Sequence, residues 1–342
     1  MSKAGPRWRW IALLVVISVV LGFSTVFYQA EYLRDKGILE RQRMLHFRFM
    51  TSRLGDPWQY RVLSEYVLEW MFQLKESESD LIDNRTKEVI GRWNTDIVLL
   101  LRMMQNTLIF LIFAWYLQCL NMNQRRIILG MSLLGTILAI SAYKSDFCLN
   151  SYFDVLFFLL AGIVILKGRY LWIILITILA ALNRETSGFI PVLLIAFSLI
   201  PFPNVLLSNK KVALITGIIS MLLYGFIFIL LRASFQPQVS NTLHWPMLRP
   251  GRVILFNLTY VQAWSLLFSV FGLLPILSIK TIKSWPPVLK AFFWILVPVW
   301  VICIYFLGDV QETRLLLVPF ILVILPGLLF GLNYYNIEQE TV

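Results

Sequence analysis

Ten apolar runs set the terms for this chain, at about 8–29, 97–120, 127–143, 154–166, 170–183, 188–207, 212–232, 256–279, 290–307 and 315–334. A helix rises ~1.5 Å per residue, so about 20 apolar residues cross a ~30 Å hydrocarbon core. Lipid offers no hydrogen-bond partners, so each such run must satisfy its own backbone as a helix. A β-barrel would show ~10-residue segments of alternating polarity, and none is present. Composition agrees: 58% of residues are hydrophobic, 14% are charged and mean hydropathy is +0.74. A soluble domain carries about 25% charged residues. The expected fold is an all-α polytopic membrane protein, a single transmembrane domain over 1–342 with about ten transmembrane helices.

Basic residues between the runs give an orientation. With a cytoplasmic N-terminus, the inner segments are 1–10, 121–126, 167–169, 208–211 and 280–290. They hold Lys3, Arg7, Arg9, Arg125, Arg126, Lys167, Arg169, Lys210, Lys211, Lys280, Lys283 and Lys290 and no Asp or Glu. Of the 19 acidic residues, only Glu338 and Glu340 fall on that side. This is the positive-inside pattern. It implies an inner (plasma) membrane location with both termini cytoplasmic, and a first run retained rather than cleaved. The net charge of +11 is distributed between spans, so it speaks for membrane lipids as partners and against nucleic acid. Cys119, Cys148 and Cys303 lie in or beside runs at unrelated spacings, which suits neither a disulfide framework nor a metal motif.

The first outer loop, 30–96, carries structure of its own. Apolar residues at 62, 63, 66, 67, 70, 71 and 74 draw a one-sided helix with Glu65 and Glu69 on its other face. Residues 38–54 mix Leu, Met and Phe with Arg41, Arg43, Arg48 and Arg53, as expected of a helix lying in the headgroup plane. Between them Gly55 and Pro57 mark a turn, in which Asp56 is either a helix N-cap or a chemical group. His46 and His244 are read as solvated or aromatic-stacked.

Asn183-Arg184-Glu185-Thr186 interrupts an apolar stretch only thirteen residues after Tyr170, roughly 20 Å into the membrane. Ionisable groups at that depth cost at least ~2.5 kcal/mol each unless paired or hydrated. The expected setting is a water-filled cavity. Other charged groups gather at the outer ends of runs: Asp146 and Asp154, His244, Arg249 and Arg252, then Asp309, Glu312 and Arg314. Carboxylates serve as general bases or metal ligands, and arginine forks grip phosphate. Together they suit sugar transfer from a polyprenyl-phosphate donor.

The segments Asp56-Pro57-Trp58-Gln59-Tyr60-Arg61-Val62-Leu63, Tyr152-Phe153-Asp154, Asn183-Arg184-Glu185-Thr186 and Gln311-Glu312-Thr313-Arg314 resemble the GT-C class of membrane glycosyltransferases, in particular its small bacterial mannosyltransferase-like members. The resemblance extends from the first run to the tenth. It implies a GT-C-like fold with interfacial helices in the first outer loop, and a polyprenyl-phosphate-sugar lipid donor. It also implies an extracytoplasmic glycan, lipid or protein acceptor, and inverting transfer. Asp56 matches the family's loop carboxylate as catalytic base, with Glu31 and Asp35 as rivals. Tyr60, Arg61, Asp154, Arg184, Glu185, Glu312 and Arg314 are the candidate substrate- and phosphate-binding residues, with Glu185 expected to position Arg184. The loop lacks the Asp-Glu or Asp-x-Asp pair of the family, so no metal ligand is assigned, although a divalent metal is compatible with the chemistry. The alternatives are a transporter or flippase of a lipid-linked or anionic substrate, and a non-catalytic envelope-assembly subunit. Polar groups that cluster outward rather than at the midplane favour outer-face chemistry.

Overall fold

A computed structural model describes residues 7–34, 37–51, 60–76, 94–141, 149–200, 209–235, 250–308, 310 and 312–340. Among them there is no strand. The helices are α1 (Arg7–Arg34), α2 (Ile38–Met50), α3 (Val62–Glu76), α4 (Thr95–Cys119), α5 (Gln124–Ser141), α6 (Asn150–Leu166), α7 (Trp172–Ala181), α8 (Phe189–Leu199) and α9 (Lys210–Ser234). They continue as α10 (Pro250–Thr259), α11 (Val261–Phe271), α12 (Leu274–Lys280), α13 (Pro287–Leu307) and α14 (Leu325–Glu340). A π-helical turn, Phe320–Ile324, leads into α14.

Local chemistry sets several boundaries. Asn94 caps α4 by accepting from the Asp96 and Ile97 amides, and Asn209 caps α9 through Val212. Both spare the first-turn donors that a helix leaves open. Gly272 takes φ 54 between α11 and α12, a conformation that favours glycine, and the two helices bend there by 66°. Among the described residues five helical stretches are long and apolar enough to cross a membrane: Trp8–Glu31, Thr95–Cys119, Lys210–Ser234, Pro287–Phe306 and Thr313–Leu332. The bent pair α11–α12 makes six if it counts as one span. Among the described residues each of the ten apolar runs contains helix, but α6, α7 and α8 are shorter apolar helices, and the run at 256–279 is split among α10, α11 and α12.

Prolines in the last span are answered by side chains. Pro319 and Pro326 have no N–H to give the carbonyls four residues earlier. Trp300 Nε1 donates to Leu315 O at 2.8 Å, and the Tyr116 hydroxyl donates to Leu322 O at 2.9 Å. Ser278 adds a bond to Ile324 O at 2.6 Å. A fully buried aromatic and aliphatic core, including Phe113, Tyr116, Phe158, Phe292 and Leu325, packs around this span.

The bundle has two chemically different ends. At one end Lys167 lies over the Trp115 ring, Lys290 bonds to Lys283 O, and Phe197 meets Phe292. Lys167, Lys283 and Lys290 of the short basic segments lie there. At the other end Gln29, Ser141, Tyr152 and Thr313 join by hydrogen bonds, and Asn150 O receives Asn183. The short helices α6, α7 and α8 stop at this second end, while α9 runs on. The Tyr224 hydroxyl meets Glu185 O at 2.7 Å, yet α9 continues ten residues further to Ser234, about 15 Å. The turn at 183–188 is thus the floor of a recess. Over it lie α2 and α3, tied down by Leu63 N to Leu182 O and by Phe49 against Phe235. These two helices match the amphipathic pair expected from the loop, with α2 ending at Met50.

Candidate functional site

Why the recess forms is a matter of helix ends. Helix α7 stops at Ala181 and leaves its last carbonyls without intrahelical partners; Leu182 O is taken by the Leu63 amide. Asn183 then folds back on α6, its Nδ2 donating to Asn150 O at 2.8 Å and to Asp154 Oδ1 at 3.0 Å. Thr186 donates its hydroxyl to the other oxygen of Asp154. Ser187 closes the turn by donating to Arg184 O at 2.6 Å. Asp154, 1% exposed, therefore anchors the Asn183–Thr186 turn from behind.

Three arginines from three distant segments converge in front of that anchor. Arg184 Nη1 lies 3.6 Å from Asp154 Oδ2 and donates to Ser151 Oγ at 3.1 Å. Arg61, which leads into α3, lies 3.7 Å from Glu185 Oε2. Arg314, in the 3-10 turn Thr313–Leu316, donates to Glu312 at 3.0 Å. All three guanidiniums belong to buried residues, whereas the side chains of Glu185 and Glu312 are 28% and 20% exposed. The groups share one field. Burial alone would raise the Glu312 carboxyl, but Arg314, then Arg184 and Arg61, outweigh burial and hold it below the usual carboxylate range. Arg61 also acts electrostatically on Asp154.

The pairing differs from the sequence expectation in one respect. Glu185 does not position Arg184; it faces Arg61, and Arg184 takes Asp154. Adjacent residues in a turn point apart, so each reaches a different neighbouring segment. Asp154 is enclosed behind Arg184 and its own hydrogen-bond partners. Tyr60 is buried at the rim, its ring beneath the Arg232 guanidinium at 4.6 Å. Glu31 lies exposed on α1. Asp56, the candidate base, lies outside the described residues, as do Asp35, Asp146, Cys148, His244, Arg249, Asp309 and Gln311. His46 is not solvated, but it does meet an aromatic ring. It is 2% exposed, sits 2.8 Å from Glu65 and 3.3 Å from Glu69, and meets Phe72 edge-on. The polar face of α3 is thus turned onto α2.

Sequence reasoning missed Ser151, Tyr224 and Arg232. Ser151 sits one residue before Tyr152-Phe153-Asp154, and Arg232 falls on the same α9 face as Tyr224 and Phe228. That spacing was the available signal. Behind the site lies a second polar layer: Arg102 packs on the Tyr152 ring at 2.9 Å and bonds to Gln105, which in turn holds Leu149 O.

Chemically, the cluster suits an anion. Within the cluster Asp154, Glu185 and Glu312 each face a guanidinium, and among the described residues no three His, Cys, Asp or Glu side chains gather as metal ligands. A divalent cation would meet three arginines there, so the described residues do not fit one. Compared with known proteins, the chain matches no family model, no curated protein and no solved structure.

Proposed function

We propose that this chain transfers a sugar from a polyprenyl-phosphate donor to an acceptor at the outer face of the cell membrane, as a GT-C-like enzyme of about ten spans with both termini cytoplasmic. The observation that supports it best is the convergence of Arg61, Arg184 and Arg314 in a recess floored by the Asn183–Thr186 turn. In the reaction the acceptor oxygen bonds to the anomeric carbon with inversion, and the bond from that carbon to the phosphate oxygen breaks. The acceptor proton passes to a carboxylate, assigned to Asp56. The donor phosphate carries one negative charge as a diester and approaches two as it leaves. Guanidiniums fixed where that second charge develops bind the transition state better than the ground state, which is what accelerates a reaction. Asp154, Asn183 and Thr186 hold Arg184 in place beforehand, so little reorganisation is needed at that moment.

The test is transfer of labelled sugar from polyprenyl-phosphate donors by the purified protein, with Arg184→Ala and Asp56→Asn alongside. Wild type is expected to transfer, and each variant to lose about 100-fold or more. Full activity in both variants would remove the site assignment. Movement of the lipid between leaflets without transfer would replace this reading with the flippase alternative.

A further inference from the structure

Arg232, in the last turn of α9, stands apart from the other arginines of the recess. Its guanidinium carbon lies 3.7 Å from the centroid of the Phe228 ring and 4.6 Å from that of Tyr60. Among the described residues no carboxylate lies within ion-pair distance of it. Arg61, Arg184 and Arg314 each have one. It is half-buried, and its electrostatic reach extends to Tyr224, the residue that also feels Glu185 and Asp154. Arg232 therefore overlooks the same recess from two turns higher on α9, at the mouth.

We infer that Arg232 is the capture residue for the phosphate of an incoming lipid: a cation parked on aromatic rings at the mouth of the recess, which exchanges those rings for the phosphate as the headgroup enters. This rests on the sugar-transfer reading of the site.

Magnitudes single it out. A cation–π contact at a partly exposed site shifts an equilibrium by about 2- to 5-fold, so releasing Arg232 from two rings costs little. Breaking a buried ion pair such as Arg184–Asp154 costs about 100- to 1000-fold or more. The floor arginines are fixed and preorganised; the one at the mouth changes partners cheaply. A guanidinium that leaves the rings for the two free oxygens of the donor's phosphate diester gains two parallel charge-assisted hydrogen bonds.

The experiment measures binding, not turnover. The full-length protein in detergent is titrated with a long-chain polyprenyl phosphate, and separately with inorganic phosphate, with binding read by native mass spectrometry and tryptophan fluorescence. Wild type is expected to bind the lipid phosphate, and Arg232→Gln to bind it about 10- to 100-fold more weakly. Arg232→Lys, which keeps the charge but loses the two-point fork, is expected to bind more tightly than Arg232→Gln and more weakly than wild type. Phe228→Leu, which removes the nearer ring, is expected to bind as wild type or slightly tighter. Equal binding by wild type and Arg232→Gln overturns the inference while leaving the site reading intact. A loss in Phe228→Leu as large as in Arg232→Gln also overturns it, because the pair would then be a structural strap. Inorganic phosphate binding as tightly as the lipid overturns the lipid as the source of the phosphate. Absence of binding by wild type overturns the sugar-transfer reading and this inference with it.

Discussion

The Asn183–Thr186 turn shows how one buried carboxylate can fix a whole motif. Asp154 accepts from Asn183 and Thr186 and balances Arg184, so its replacement by Ala leaves a buried guanidinium uncompensated. We expect Asp154→Ala to cost about 3–5 kcal/mol of stability, read as a large fall in unfolding temperature in detergent. Glu185→Gln should cost about 1 kcal/mol or less, because the Glu185 side chain is partly solvated. Similar losses in the two variants would contradict this ranking. The depth of Arg184 was legible from its position in an apolar run. Its partner was not, because pairing depends on which helix ends meet. His46 teaches the same lesson. Burial would lower its pKa, but hydrogen bonds and charge from Glu65 and Glu69 raise it from 6.5 to about 9. A folded pKa above the unfolded one gives stability that is complete below about pH 6.5 and lost as pH rises through about 9. The shift corresponds to roughly 3 kcal/mol. Hydrogen exchange of α2 should therefore accelerate between about pH 7 and 9, beyond the ordinary rise of the intrinsic rate. His46→Gln should abolish that excess; an unchanged profile in the variant would rule the clamp out.

At the level of elements, the last span is built around missing donors. Trp300 and Tyr116 each supply the hydrogen bond that a proline withholds. Tyr116→Phe leaves Leu322 O without that donor in a fully buried site, and the expected cost is about 1–3 kcal/mol. Chemical or thermal unfolding in detergent checks it, and a neutral result would mean that another donor reaches the carbonyl. Gly327 is fixed for a different reason: a Cβ there would collide with the Trp285 ring. Gly327→Ala should push Trp285, in the link between α12 and α13, away from α14 and destabilise the protein more than Tyr116→Phe. The helix of α3 was readable from the apolar period at 62, 63, 66, 67, 70, 71 and 74, but Tyr66, Trp70 and Leu74 of that face are exposed, whereas Leu68 and Phe72, on the Glu65 and Glu69 side, are buried. That its Glu65 and Glu69 face would be covered by α2 was not readable, since a polar face looks solvent-exposed until a partner with a histidine is laid on it. The helical character of the apolar runs was legible by hydropathy, whereas five to six of the described stretches are long enough to span, and the break of the run at 256–279 into α10, α11 and α12 depends on a glycine conformation and on packing.

Across the whole molecule, the charge pattern and the contact pattern agree on two unlike ends. Lys167, Lys283 and Lys290 of the short basic segments lie at one, the arginine–carboxylate recess at the other. Reporter fusions after Arg126, Asp146 and Lys211 test how these ends lie in the membrane. Activity on the cytoplasmic side is expected after Arg126 and Lys211, and on the opposite side after Asp146. A cytoplasmic Asp146 would place the recess on the wrong face for the proposed reaction. The sequence by itself determined the helical membrane class, the positions of the apolar runs, the alternation of basic segments and the presence of charge at depth. Each of these is local: a run length, a period, or the cost of an ion in hydrocarbon. Only the tertiary structure decided that Asp154 stands behind Arg184, that Arg61 meets Glu185, and that Arg232 rests on aromatic rings at the mouth. Those relations join residues far apart in the chain, and they are fixed by where helices of unequal length end against one another.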